Sequence, residues 1–210
     1  MKSEGYIKYQ PNWQKVAVDV DEKVLNEMNR ARGKLKEKNW LGVLPDGVGF
    51  GNLSVRSGNS DRFLISGSGS GHLEWLAPAD IAMVTGVDIA KNHLNCRGLT
   101  KASSESMTHA VFYRYSTAIN AVIHIHDRLL WEKYFNVLPT SSPSAEYGTP
   151  EMAFAIEKIL EKRSVHQSVL VMGGHKDGLV AYGRSLNEAF GVFSNLIVHG
   201  ACFMKYLLGI

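Results

Sequence analysis

The stretch INAVIHIHD, residues 119–127, is rich in β-branched residues and predicts a strand over Ile119–Ile125. Alternate residues of a strand face the same side, so His124 and His126 project together while Ile125 points the other way into packing. Two imidazoles about 6–7 Å apart along a strand can converge on one metal ion. A pair of hydrogen-bonded histidines on a polar strand face is the alternative interpretation.

Further strands and helices are predicted on both sides of this segment. Before it, the apolar pattern predicts helices over Asp19–Lys38 and Ser103–Tyr115, a loop over Leu41–Phe50, and strands over Gly51–Arg56, Arg62–Ile65 and Ile81–Val84. After it come a helix from Thr149 to about Lys162, strands over Ser168–Met172 and Leu179–Tyr182, and a last helix from Ser185. Such intermixed elements around a sheet indicate an α/β layered fold.

Helix-capping residues are expected at two of these helix starts. Ser103 or Ser104 is the predicted N-cap of the second helix. Ser185 and Glu188 have the spacing of a capping box at the start of the last helix.

Length and composition fit one soluble globular domain over residues 1–210. The chain is 45% hydrophobic and 20% charged, and its net charge is only +3. The basic residues form no single stripe, which argues against a nucleic-acid partner. No secretory signal and no apolar run of about 18 residues is present, so a membrane span is not expected. Cys96 and Cys202 lie far apart, which indicates no disulfide framework and is compatible with the cytoplasm.

A second histidine motif lies near the C-terminal end. The stretch VLVMGGHKDGLVAYG, residues 169–183, places His175 between two apolar strands. Gly173 and Gly174 before it allow the backbone to turn tightly. A lone loop histidine is more often structural. Together with the histidine pair at 124 and 126, however, it would make a three-histidine site with an open position, as in catalytic zinc sites.

Two other motifs are suited to binding an anion. Ala102-Ser103-Ser104-Glu105 puts hydroxyls, free N–H groups and a carboxylate at a helix start, either for plain capping or with Glu105 as an acid/base group. The segments GNLSVR (51–56) and SGSGSG (66–71) could cradle a phosphate or form flexible surface turns. The other histidines are interpreted as structural; they are His72, His93, His109, His166 and His199.

In order and spacing, these segments resemble the class II aldolase/adducin family over about residues 20–207. The matching stretches are GNLSVR, FLISGSGSG, LAPADIAMV, the SSE of ASSESMTH, AVIHIHD, YGTPEMA and VLVMGGHKDGLVAYGRSLNEA. The resemblance implies a three-layer α/β/α domain around a mostly antiparallel sheet. It also implies a homo-oligomer, with a tetramer favoured and active sites near the subunit interfaces.

The resemblance also implies roles for individual residues. The zinc-binding histidines of the family fall on His124, His126 and His175, and its catalytic glutamate falls on Glu105. Its phosphate-binding positions fall on Asn52, Ser68, Gly69, Ser103 and Ser104. The chain departs from the family pattern at three places: Lys176-Asp177 inserted before Gly178, a short stretch from His126 to Tyr147, and Ala102 where proline is usual.

The function implied by the resemblance is a metal-dependent aldolase acting on a small phosphorylated sugar or hydroxy-carbonyl compound. A zinc ion, or Mn²⁺, Co²⁺ or Fe²⁺ in its place, would stabilise an enediolate while Glu105 moves the proton. A sugar-phosphate dehydratase or epimerase of the same family is an alternative. Two alternatives without catalysis are a binding domain like the adducin heads and a nucleotide- or phosphate-binding protein that uses SGSGSG alone.

Overall fold

The computed structural model describes residues 6–162 and 168–208, with side chains as far as Val198. His166 and the side chains of His199 and Cys202 therefore lie outside the described residues. The helices are α1 (Glu22–Glu37), α2 (Ser106–Tyr115), α3 (Arg128–Tyr134), α4 (Pro150–Glu161) and α5 (Leu186–Leu208). The strands are β1 (Gln10–Gln14), β2 (Gly42–Val43), β3 (Gly49–Phe50), β4 (Asn52–Arg56), β5 (Phe63–Ser66), β6 (Ile81–Asp88), β7 (His93–Arg97), β8 (Ala121–His126), β9 (Val169–Val171) and β10 (Gly178–Gly183).

Eight of these strands form one sheet in the order β1-β7-β6-β5-β4-β8-β10-β9. All neighbours are antiparallel except β1 and β7, which are parallel. Strand β8 lies between β4 and β10, and His124 is paired with Asn52 on one side and Val180 on the other. The histidine pair therefore lies on an interior strand, with a strand on either side.

The sheet is covered by helices on both faces. One apolar core joins residues of α1, α3 and α5 to Ile123 and Ile125 of β8. The other joins residues of α2 and α4 to Val122 and Val180. Alternation along β8 thus directs His124 toward the face covered by α2 and α4. The predicted α/β fold with three layers and a mostly antiparallel sheet is confirmed.

The start of α2 corrects one prediction. The helix begins at Ser106 with Glu105 in the N-cap position, so the expected N-cap at Ser103 or Ser104 was wrong. The chain makes a turn first, in which the Ser106 N–H and hydroxyl both donate to the Ser103 carbonyl oxygen. Because Ala102 pairs with Gly67, the residue that follows β5, tertiary pairing holds this turn outside the helix.

Several short elements were not predicted from the sequence patterns. The stretch predicted as a loop over 41–50 contains the β2–β3 hairpin, and the strand expected to end at Val84 continues to Asp88. Strands β1 and β7 and helix α3 were not predicted. β1 contains a proline and is mostly exposed, so only its pairing with β7 reveals it as a strand.

The last helix, α5, begins after a half-formed capping box. The Glu188 N–H donates to the Ser185 hydroxyl at 3.2 Å, as predicted. The Glu188 carboxylate, however, accepts a hydrogen bond from the backbone N–H of Arg184 at 2.8 Å.

Among the helices of the described residues, none combines the length and the hydropathy that a membrane-spanning segment needs.

The turn before β10 tolerates no side chain at Gly174. A Cβ built there would lie 1.8 Å from the Ala145 carbonyl oxygen. We expect Gly174→Ala to lower the free energy of unfolding by about 1–3 kcal/mol, because the backbone of residues 141–145 must move. Urea denaturation of the wild type and the variant measures this difference in the free energy of unfolding. The matched control is Gly191→Ala in α5, where nothing lies within 4 Å. It should be neutral or stabilising, and equal stability of the two variants would contradict the packing argument.

Candidate metal centre

The structure brings the three predicted histidines into one cluster. Strand β8 supplies His124 and His126, and the turn between β9 and β10 supplies His175. One potential ligand atom from each lies within 4.8 Å of the other two. Three imidazoles from two parts of the chain separated by about 50 residues thus meet at one point.

The cluster has the spacing and the tautomer that a divalent metal requires. His124 Nδ1 lies 3.1 Å from the Leu179 carbonyl oxygen and donates to it, so Nε2 carries the lone pair. His124 Nε2 and His126 Nε2 are 3.1 Å apart. Two nitrogen ligands of a tetrahedral zinc ion are separated by about 3.3 Å. The residues present therefore fit a divalent transition metal such as zinc.

Burial keeps His124 neutral. The loss of solvation lowers its pKa well below the usual value, and the neighbouring His175 and His126 lower it further. Only the neutral imidazole has a lone pair to offer a metal. The fold therefore presents this side chain in its ligand form.

Lys176 and Asp177, the two residues after His175, form the corner of a turn. The Gly178 N–H donates to the His175 carbonyl oxygen at 2.9 Å, with Lys176 and Asp177 between them. Asp177 has a φ of 68°, a left-handed conformation that aspartate tolerates better than most residues. The His175 ring lies 4.8 Å from the His124 ring, so this turn keeps His175 within the cluster.

Glu105 is buried at the edge of the cluster. Its Oε2 accepts a hydrogen bond of 3.0 Å from the Thr108 hydroxyl one turn into α2. Its Oε1 lies 3.9 Å from His175 Nδ1. One carboxylate oxygen is therefore anchored by the helix, while the other lies beside the histidines, a geometry suited to moving a proton.

One pocket joins these groups to the predicted phosphate-binding residues. Its wall contains Glu105, His124 and His175 together with Asn52, Ser68, Gly69, Ser103 and Ser104. Among the described residues, its wall includes no lysine or arginine. An anion bound here would be held by hydroxyls, an amide and backbone N–H groups.

Arg32 of α1 supports the glycine-rich loop from behind, a role that the sequence interpretation missed. Its buried guanidinium donates to the carbonyl oxygens of Ser70, Gly71 and Leu73. These three carbonyl groups therefore point toward α1 and are held there by the Arg32 side chain. The signal was available, because Arg32 interrupts the apolar stripe formed by Met28 and Leu35.

Tyr147 is a second residue that the sequence interpretation missed. Its ring stacks on His175, with centroids 4.5 Å apart, and it lines the pocket. The Lys8 ammonium lies 3.4 Å from the centre of the Tyr147 ring and is paired with Glu146. The segment before β1 thus holds this wall of the pocket in place.

Comparison with known proteins agrees with this geometry. The profile of the class II aldolase and adducin N-terminal domain matches residues 44–130, which contain the glycine-rich loop, Glu105 and both β8 histidines. Residues 44–130 therefore match the class II aldolase and adducin family. The resemblance inferred from the sequence is thereby confirmed. The roles of the individual site residues stay predictions, and His175 lies beyond the matched span.

Solved structures of this family share the fold along most of the chain. An L-fuculose 1-phosphate aldolase is 25% identical, with a TM-score of 0.63, over 90% of this chain and 87% of that one. YgbL from Klebsiella pneumoniae, described as a candidate aldolase, epimerase or decarboxylase, is 20% identical with a TM-score of 0.63, over 91% and 92% of the two chains. L-fuculose 1-phosphate aldolase from Glaciozyma antarctica PI12 is 13% identical with a TM-score of 0.55, over 92% and 78%. A search of curated proteins finds no match.

Proposed function

We propose that this class II aldolase family member is a metal-dependent carbon–carbon lyase that cleaves a small phosphorylated hydroxy-carbonyl compound. The observation that carries the proposal is the three-imidazole cluster with Glu105 at its edge, in a pocket lined by neutral anion-binding groups. Zinc is the favoured metal. Mn²⁺, Co²⁺ or Fe²⁺ could bind the same nitrogen ligands in its place.

Each part of the site has a role in this proposal. His124, His126 and His175 would hold the metal, which when bound supplies a Lewis acid for the substrate oxygens. Retro-aldol cleavage removes the proton of a hydroxyl group, breaks the adjacent carbon–carbon bond and returns a proton to the carbon that receives the bonding electrons. Glu105 is the carboxylate in position to carry a proton in these steps.

The phosphate would be anchored beside the same carboxylate. Ser103 and Ser104 immediately precede Glu105 and line the pocket with it. Asn52, Ser68 and Gly69 contribute from β4 and the glycine-rich loop. Anchoring and proton transfer would thus come from one short segment, which favours a phosphorylated substrate with its reacting carbons close to the phosphate.

The proposal extends to the assembly and location of the protein. We propose a homotetramer built from a single domain over residues 1–210 and located in the cytoplasm. Leu129 in α3 and Val198 in α5 expose 78% and 70% of their surfaces, which supports association through these helices.

Assays with two matched sugars test the reaction. We expect the purified chain to hold about one zinc ion and to release an aldehyde from a phosphorylated ketose such as L-fuculose 1-phosphate. L-Fuculose without the phosphate should react at least about tenfold more slowly, because the anion-binding groups lose their ligand. The aldehyde is measured with a coupled reductase, and a panel of phosphorylated ketoses extends the assay.

Three results would contradict the proposal in different ways. An isomerised sugar phosphate without aldehyde would indicate an epimerase, and loss of water would indicate a dehydratase. A chain that binds no metal would indicate a binding domain of the adducin type.

A further inference from the structure

Phe50 is the residue with an apolar side chain in the otherwise polar described wall of the pocket. The rest of the described wall consists of glycine, serine, asparagine, glutamate, histidine and tyrosine. Phe50 is the last residue of β3 and is only half-buried. A large apolar side chain in such a place excludes water and occupies volume that a substrate could otherwise fill.

The Phe50 ring contacts His126, one of the three histidines of the cluster. Its centroid lies 5.3 Å from that of His126, with an angle of 42° between the planes. His124 and His175 belong to the wall of the pocket, whereas His126 does not. Phe50 therefore covers the side of the cluster on which His126 lies.

Neighbouring glycines hold the ring in this position. Gly42 pairs with Phe50 in the β2–β3 hairpin, and a Cβ on Gly42 would lie 3.2 Å from the Phe50 ring. Gly51 has a φ of 72°, and a Cβ there would lie 2.7 Å from the Trp40 carbonyl oxygen. The backbone on both sides of the ring is thus tightly packed, so the ring has little freedom to withdraw.

The same hairpin contacts the glycine-rich loop. A Cβ on Gly49 would lie 3.0 Å from the Gly71 backbone nitrogen, so the two segments touch. Phe50 therefore belongs to the wall that connects the proposed phosphate-binding loop with the histidine cluster.

We infer that Phe50 determines specificity by limiting the size of the substrate group that can lie next to His126. The inference rests on the proposed function and narrows its substrate class to phosphorylated compounds with a small, unbranched group beside the reacting carbonyl. A smaller side chain at position 50 enlarges this space and leaves Glu105 and the three histidines themselves unsubstituted, although His126 loses its contact with the ring.

Binding of two hydroxamates tests the inference without any need to know the substrate. Acetohydroxamate and benzohydroxamate present the same planar pair of oxygens to a metal and differ in carrying a methyl or a phenyl group. The zinc-loaded, desalted protein is titrated with each by calorimetry. Phe50→Ala should raise the affinity for benzohydroxamate about tenfold relative to acetohydroxamate, because the phenyl group gains the vacated space.

Two further variants separate this role from a general effect on packing. Phe50→Leu keeps an apolar side chain in the hairpin and should shift the ratio of the two affinities in the same direction by a smaller factor. Phe154→Ala removes an exposed ring from α4, outside the pocket, and should leave the ratio unchanged.

The possible results separate the inference from the function on which it rests. An unchanged affinity ratio in zinc-loaded Phe50→Ala and Phe50→Leu overturns the role of Phe50 and leaves the proposed function standing. A wild-type chain that binds no zinc overturns both. A zinc-loaded wild type that binds neither hydroxamate contradicts an accessible metal and likewise overturns both.

Discussion

The His126→Ala variant is expected to bind zinc more than about 100-fold more weakly than the wild type. Loss even of a residue that merely orients a ligand costs about 10–100-fold, and this change removes one ligand of three. His124 and His175 alone would leave two protein ligands, fewer than the three of catalytic zinc sites. Zinc per chain after dialysis against a competing chelator measures the effect.

A histidine outside the cluster provides the control for this experiment. His93 lies in β7, four strands from β8 in the sheet order, so His93→Ala should retain the full zinc content. Full occupancy in the His126→Ala variant would refute the proposed centre. Far-ultraviolet circular dichroism of both variants shows whether the fold is kept.

The Glu105→Gln variant is expected to bind metal normally and to lose about 10²–10⁴-fold in turnover. Glutamine keeps the shape of the side chain and an oxygen that can accept the Thr108 hydrogen bond. It cannot take up and release a proton, which is the role proposed for the oxygen nearest His175. The turnover number for the phosphorylated ketose that the wild type cleaves is the measurement.

Glu151 offers a matched change for comparison. It is an exposed glutamate in the first turn of α4, so Glu151→Gln should leave turnover within about twofold of the wild type. Near-normal turnover of Glu105→Gln would rule out its acid/base role. Loss of bound zinc in that variant would instead assign Glu105 to the metal centre itself.

Local sequence patterns were sufficient wherever one element defines the geometry. His124 and His126 are two residues apart on one strand, so alternation alone places both side chains on the same face. The helix at Glu22–Glu37 was predicted for a similar reason, since its apolar residues repeat with helical spacing. Both patterns are properties of a short segment and need no knowledge of its neighbours.

Elements that depend on neighbours were predicted poorly. β1 has no apolar alternation, and its pairing with β7 makes it a strand. The turn at Ser103–Ser106 starts α2 later than its serines suggested, because Ala102 is paired with Gly67. In these places a contact from another part of the chain outweighs local preference.

By itself, the sequence determined the α/β class, the family resemblance and the shared face of the two β8 histidines. Only the tertiary structure placed His175 and Glu105 at the same point and put the Phe50 ring against His126. These positions depend on how the layers pack and on backbone approaches at residues such as Gly174 and Gly178, which join segments far apart in the chain. A motif specifies which donors are available, whereas packing sets the distances between them, and those distances decide whether the donors can hold one ion.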